Sequence, residues 1–149
     1  MDKKDIDWST LGFNYIKTDK RYVAHCKNGE WSKGKLIDDE TITLNESAGV
    51  FQYAQTCFEG LKAYTTKDDK IVVFRPELNA QRMADTCKRL CIPVLPKEIF
   101  LEAVEEVVKA NSKFVPPYGT SASLYLRPFI IGSSPVIGVK ASDEYQFRL

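Results

Sequence analysis

The sequence predicts an α/β protein of the α+β type, a largely antiparallel sheet packed with two main helices. Three observations point there. Short runs of alternating apolar and polar residues, bounded by turn formers, occupy the first half of the chain. Two stretches with helical spacing follow one another directly near residues 78–91 and 99–108. Further strand-like runs come after that pair instead of alternating with it. At 149 residues a single domain is expected, and folding can remove about two-thirds of the unfolded chain's surface from water.

Residues 11–31 alternate around a Thr18-Asp19-Lys20 break and meet Asn28-Gly29, a pair suited to positive φ, which predicts a meander of short antiparallel strands. Ile42 and Leu44 repeat the period of two over residues 41–44, and the polar run 45–49 ends it. Residues 50–58 are rich in aromatics and fit helix or strand. Residues 61–66 and 71–75 flank Lys67-Asp68-Asp69-Lys70, which predicts a hairpin with a four-residue loop. After Pro76, the apolar residues Leu78, Met83, Cys87, Leu90 and Cys91 recur at helical spacing until Ile92-Pro93 stops them. A second helix is predicted from near Pro96 to about Asn111, its core face formed by Ile99, Phe100, Ala103, Val104, Val107 and Val108. Residues 122–131 are too apolar for an exposed strand and predict a central or nearly central one, bent at Pro128. A Gly/Ser/Pro loop follows, and residues 145–149 begin another strand that the end of the chain interrupts. No internal repeat or low-complexity segment occurs.

The chain is 44% hydrophobic and 28% charged, with 21 Lys plus Arg against 20 Asp plus Glu. Such a composition excludes disorder and collagen-like structure. A net charge of +1 offers no overall field for nucleic acid or a membrane surface, so any anion must be held locally. Four cysteines without a CxxC argue against a secreted disulfide framework and for a reducing compartment. The start, Met1-Asp2-Lys3-Lys4-Asp5-Ile6-Asp7, is followed by no apolar leader, and no run approaches membrane-spanning length, so the expected location is cytoplasmic.

Among residues that can carry chemistry, Tyr125 and Arg127 stand two apart on one strand and therefore share a face. On so apolar a strand Arg127 needs a carboxylate, either a structural partner such as Glu59 or a ligand. Gly60, between an aromatic stretch and a strand, suggests close backbone approach, with Tyr53 and Phe58 either walling a pocket or packing in the core. Arg82 lies beside the apolar stripe of the first helix, able to reach an anion or only solvent. Cys87 and Cys91 are read as packing residues because no further ligand joins them, and no metal site is predicted. His25, the only histidine, lacks nucleophile or acid partners in the sequence and takes no role. Lys62 alternates with Leu61 and Ala63 and so reads as an exposed hairpin lysine. Neither a Walker loop nor a GxGxxG occurs.

Three blocks carry a family resemblance: Phe58-Glu59-Gly60-Leu61-Lys62-Ala63-Tyr64, Phe74-Arg75-Pro76-Glu77-Leu78-Asn79 with Arg82-Met83, and Ser123-Leu124-Tyr125-Leu126-Arg127-Pro128-Phe129-Ile130-Ile131-Gly132. In order and spacing they resemble the branched-chain amino acid aminotransferases, over the small N-terminal domain and from about residue 10 onward. The resemblance implies the small domain of a fold-type IV, pyridoxal-phosphate-dependent enzyme that works as a homodimer. Its implied substrates are leucine, isoleucine or valine with 2-oxoglutarate, which becomes glutamate. It implies that Arg82 binds the cofactor phosphate and that Tyr125 and Arg127 accept the glutamate side-chain carboxylate. Phe58 and Phe13 match apolar walls of the substrate site. Tyr53, Ile137 and Val139 match residues that reach the partner subunit's pocket.

The departure from the family is an absence. The lysine that forms the Schiff base with the cofactor matches none of the lysines here, and no catalytic residue is assigned within the chain. The chain is therefore expected to be one domain, residues 1–149, truncated before the interdomain linker and the large catalytic domain, and inactive by itself. Alternatives are a free-standing noncatalytic binding domain, or the small domain of a D-amino acid aminotransferase or aminodeoxychorismate lyase.

Overall fold

A computed structural model describes residues 3–12 and 14–149. Strand β1 (Arg21–Lys27) turns at Asn28-Gly29, where φ is 51° and 85°, and returns as β2 (Glu30–Trp31). That is the positive-φ pair the two-residue hairpin requires. β3 (Lys35–Ile37) pairs with the other half of β1. A short helix, α1 (Gly49–Tyr53), closes at Ala54 in the left-handed region and leads into β4 (Thr56–Phe58). β5 (Leu61–Thr65) and β6 (Ile71–Val73) form the expected hairpin. Helices α2 (Pro76–Arg89) and α3 (Lys97–Ala110) follow, then a 3₁₀ turn at Ser112–Phe114. The last strands are β7 (Leu124–Leu126), β8 (Phe129–Gly132) and β9 (Glu144–Arg148).

All strand pairings are antiparallel among the described residues. They make a six-stranded sheet ordered β2-β1-β9-β8-β4, with β3 also on β1, and a three-stranded sheet ordered β6-β5-β7. The α+β expectation holds. The helices cover the face that Tyr22, Ala24 and Cys26 of β1 share with Tyr145 and Phe147 of β9, which meet Phe100 and Val104 of α3. Phe147 lies 6.1 Å from the Phe100 ring and 6.3 Å, edge-on, from Tyr22. This period-two burial turns one face of β9 to the helices.

The two sheets meet at a corner. The apolar run at residues 122–131 is not one strand: β7 belongs to the small sheet and β8 to the large one. β4 and β5 divide in the same way, so Glu59-Gly60 passes alongside Arg127-Pro128. Register requires it, since Phe58 pairs with Phe129 and Leu61 with Leu126. Pro128 has no N–H to extend the ladder, yet its carbonyl accepts the Glu59 N–H at 2.8 Å.

Other expectations are corrected. No strand forms across residues 14–20 or at residues 41–44. Residues 19–20 are instead held by the buried side chain of Asn111, whose Oδ1 accepts from Asp19 N (2.9 Å) and Lys20 N (3.1 Å). Its Nδ2 donates to Lys20 O (3.0 Å) and Val107 O (2.9 Å). The buried stripe of α2 is narrower than its apolar spacing suggested and consists of Ala80, Met83 and Cys87. Leu78 is exposed because it stands about 200° around the helix from Ala80. Leu90 and Cys91 lie where the helix has already ended, Cys91 at φ 55°, and both are exposed.

Candidate functional site

A cavity of about 780 Å³ lies between the N-terminal segment and β7. Its apolar wall includes Ile6, Trp8, Leu11 and Ile16; opposite them stand Tyr125 of β7, Arg127 of the bend after it and Phe129 of β8. Five basic side chains line it, Lys20, Arg21, Lys62, Arg127 and Arg148, against one acid, Glu40. Arg21 pairs with Glu40 at 3.2 Å, and Lys20 pairs with Asp38. Lys62 and Arg127 form no ion pair with a carboxylate among the described residues, and Arg148 lies within the field of Asp39 without forming a close ion pair. The chain is nearly neutral overall, so this excess of cations is a local one.

Tyr125 and Arg127 do share a face, but an exposed one rather than a buried one. Arg127 Nε and Nη2 donate to Tyr125 Oη at 3.1 and 2.9 Å, and the guanidinium stacks 4.3 Å above the exposed Phe58 ring. Cation–π stacking on one side and a phenolic oxygen at one edge hold the fork in place. Arg127 Nη1 and the Tyr125 O–H remain free to donate outward. Gly60 makes this packing possible, since a Cβ there would stand 2.6 Å from Tyr125 Oη. Arg127 is exposed, stacked on Phe58 and bonded to Tyr125, so it is not a buried charge that needs a protein carboxylate.

Glu59 pairs with Arg82, not with Arg127. Arg82 Nε donates to Oε1 at 2.8 Å and Nη2 to Oε2 at 2.6 Å. Asn79 Nδ2 donates to Oε2 at 2.9 Å and to Gly60 O at 3.3 Å. Burial opposes the charge on Glu59, but hydrogen bonds from Arg82 and Asn79 and the Arg82 charge outweigh it and hold the carboxyl below its ordinary pKa. Arg82 is itself 68% exposed and is not among the residues lining the cavity. Phe58, Glu59, Gly60, Tyr125 and Arg127 thus meet at the corner of the sheets, with Arg82 joined to them through Glu59.

Tyr53 donates to the Ile137 carbonyl, which brings α1 beside the loop after β8. Tyr53, Ile137 and Val139 are all exposed, as is Phe51, and none of them lines the cavity. Phe13 lies outside the described residues. His25 is exposed on β1, and Cys57 and Cys87 are buried neighbours, the thiol of Cys57 pushed up by its hydrogen bond to Cys87 and by burial. No group of three or more His, Cys, Asp or Glu side chains is placed to hold a metal ion among the described residues. Nor is any described helix long and apolar enough to cross a membrane.

Two residues at the site are given no role from the sequence. Asn79 stands three residues before Arg82, a spacing that puts both on one helix face and could have marked a shared acceptor. Arg148 alternates with the core residues Tyr145 and Phe147, so it had to face away from them, toward what proved to be the cavity.

No protein-family model matches the chain. It is 53% identical over 146 residues to the branched-chain-amino-acid aminotransferase of Haemophilus influenzae, an alignment covering 98% of this chain and 43% of that protein. The Helicobacter pylori protein of the same name is 49% identical over 144 residues, covering 97% and 42%. The chain therefore spans about two-fifths of the length of these curated relatives. Among solved structures, the branched-chain amino acid aminotransferase of Escherichia coli superposes with a TM-score of 0.65 at 25% identity, over 88% of this chain and 39% of that one. The Thermobaculum terrenum enzyme, solved in its PLP-form, has the same fold at 16% identity and a TM-score of 0.58, over 89% and 40%. In sequence and in fold, this chain is a relative of the branched-chain-amino-acid aminotransferases, matched to their N-terminal portion.

Proposed function

We propose that this chain is the small domain of a pyridoxal-phosphate-dependent branched-chain-amino-acid aminotransferase, a cytoplasmic homodimer. The parent exchanges an amino group between leucine, isoleucine or valine and 2-oxoglutarate. The observation that carries this reading is the Tyr125–Arg127–Phe58 cluster. It places two outward donors and a cation beside apolar walls, as one pocket must if it is to accept both an aliphatic side chain and a carboxylate.

Arg127 Nη1 and the Tyr125 O–H bind and orient the side-chain carboxylate of glutamate or 2-oxoglutarate. With an aliphatic substrate the same guanidinium keeps its place over Phe58 and its bonds to Tyr125. Arg82 fits the cofactor phosphate on chemical grounds: Nε and Nη2 are engaged by Glu59, while Nη1 is free and exposed, a donor edge suited to a phosphate dianion. The chemistry that pyridoxal phosphate would supply when bound is electron withdrawal from the substrate Cα. The amine that anchors it and moves the proton belongs to the part of the relatives this chain does not cover, so the chain alone is inactive. Phe13 is proposed as a further apolar wall. The exposed Tyr53, Ile137 and Val139 are proposed to reach the partner subunit's pocket, so that dimerisation completes the site.

The test is amino transfer from leucine to 2-oxoglutarate, with absorbance of bound cofactor, in the full-length parent protein and in this chain alone. Activity and cofactor binding in the parent with neither in the chain are expected. A parent that binds no cofactor would favour a noncatalytic binding domain.

A further inference from the structure

We propose that Glu59 is a positioning residue for anion binding, setting the guanidinium of Arg82 so that one edge faces a phosphate. The inference rests on the reading of Arg82 as the phosphate-binding residue and adds to it a residue that touches no ligand.

Glu59 sits at the corner between β4 and β5 and is only 4% exposed. Its backbone is fixed by the N–H bond to Pro128 O at 2.8 Å, so its side chain has a rigid origin. Three donors converge on the carboxylate, Arg82 Nε, Arg82 Nη2 and Asn79 Nδ2, at 2.6 to 2.9 Å. The Arg82 side chain is nevertheless 68% exposed. A free, exposed arginine samples many rotamers, and ordering them on binding costs affinity. Here that ordering is already done, because two of its three nitrogens are held from behind.

An ion pair serving stability alone gains little from this asymmetry, since a buried carboxylate is costly and an apolar pair would close the same gap between α2 and the corner. The asymmetry suits a ligand instead. Glu59 offsets much of the Arg82 charge, so the pair offers oriented N–H groups rather than net charge, and selectivity for a phosphate comes from geometry. Asn79 completes the device by ordering Glu59 itself and by tying Gly60 O to the same helix face.

The experiment uses the full-length parent protein and compares affinity for pyridoxal phosphate with affinity for pyridoxal, which lacks the phosphate, by absorbance titration. Arg82→Ala is expected to lower the ratio of the two affinities by more than tenfold, and Glu59→Gln by about tenfold, in line with weakened charge-assisted bonds. The double variant should lose no more than Arg82→Ala alone, because Glu59 acts through Arg82. If Glu59→Gln does not accumulate as folded protein, Asn79→Ala, which keeps the carboxylate, is expected to lower the ratio a few-fold, as expected for one lost hydrogen bond. A ratio unchanged in Glu59→Gln or Asn79→Ala while Arg82→Ala lowers it would overturn the role of Glu59. Equal loss of both ligands in Glu59→Gln would overturn it too. A ratio unchanged by Arg82→Ala would instead remove the phosphate reading on which the proposal stands.

Discussion

Gly60 and Tyr125 face each other so closely that a single added methyl on the glycine would stand 2.6 Å from the phenolic oxygen. That oxygen accepts two hydrogen bonds from Arg127, so the space left at residue 60 governs the position of the guanidinium as well. Gly60→Ala is therefore predicted to displace Tyr125 and Arg127 together and to cost about 1–3 kcal/mol of stability from overpacking. In the parent enzyme KM for 2-oxoglutarate should rise while KM for leucine changes less. An unchanged melting temperature together with unchanged KM values would show that the corner relaxes freely.

Arg127→Ala removes the stacked cation and both bonds to Tyr125. Catalytic efficiency with glutamate is predicted to fall by tenfold or more relative to leucine, the size of a lost charge-assisted contact to a carboxylate. Steady-state kinetics with the two donors decides it. Equal losses for both would contradict a role in carboxylate recognition.

Asn111 links the end of α3 to the N-terminal segment through three hydrogen bonds, and a fourth, to Val107 O, anchors its side chain on α3 itself. Asn111→Ala leaves the Asp19 and Lys20 amides without their acceptor, at a predicted cost of about 2–3 kcal/mol. The segment also walls the cavity, so hydrogen exchange should accelerate at residues 19–20 and less in β9. Urea denaturation gives the first quantity and exchange mass spectrometry the second.

The Glu59 carboxyl is held below its ordinary value of 4.5, with the bonds from Arg82 and Asn79 outweighing burial. A depressed folded-state pKa means that the stabilisation is complete above the ordinary carboxylate range and is lost as pH falls through the folded value. Wild-type stability should therefore decline below about pH 4.5 more steeply than that of Glu59→Gln, which has no such group to protonate. Parallel acid-unfolding curves would mean that Glu59 is not the group responsible.

Elements set by local patterning were legible in the sequence. The Asn28-Gly29 turn, the β5–β6 hairpin and α3 each follow from residues close in the chain, because positive φ, period-two alternation and helical spacing are local properties. Residues 14–20 and 41–44 misled for the same reason: alternation shows only that a segment can be extended, and a strand also needs a partner edge. The pairing of Tyr125 with Arg127 on one face was legible, and so was the value of Gly60 as a point of close approach. The partner of Glu59 was not. Arg82 and Arg127 are both arginines near the corner, and the choice between them depends on which side of a bent ribbon Glu59 points to.

By itself the sequence determined which side chains can bind an anion, which are apolar, and which short segments form turns, helices and strands, since these depend on composition and near neighbours. Only the tertiary structure decided that a mostly apolar run over residues 122–131 splits between two sheets at Pro128, and that this corner buries Glu59 behind Arg82 while leaving Arg127 stacked on Phe58 at an exposed edge. The reason is geometric: a strand's pattern records alternation between two faces, but what each face meets is set by elements far away in the chain.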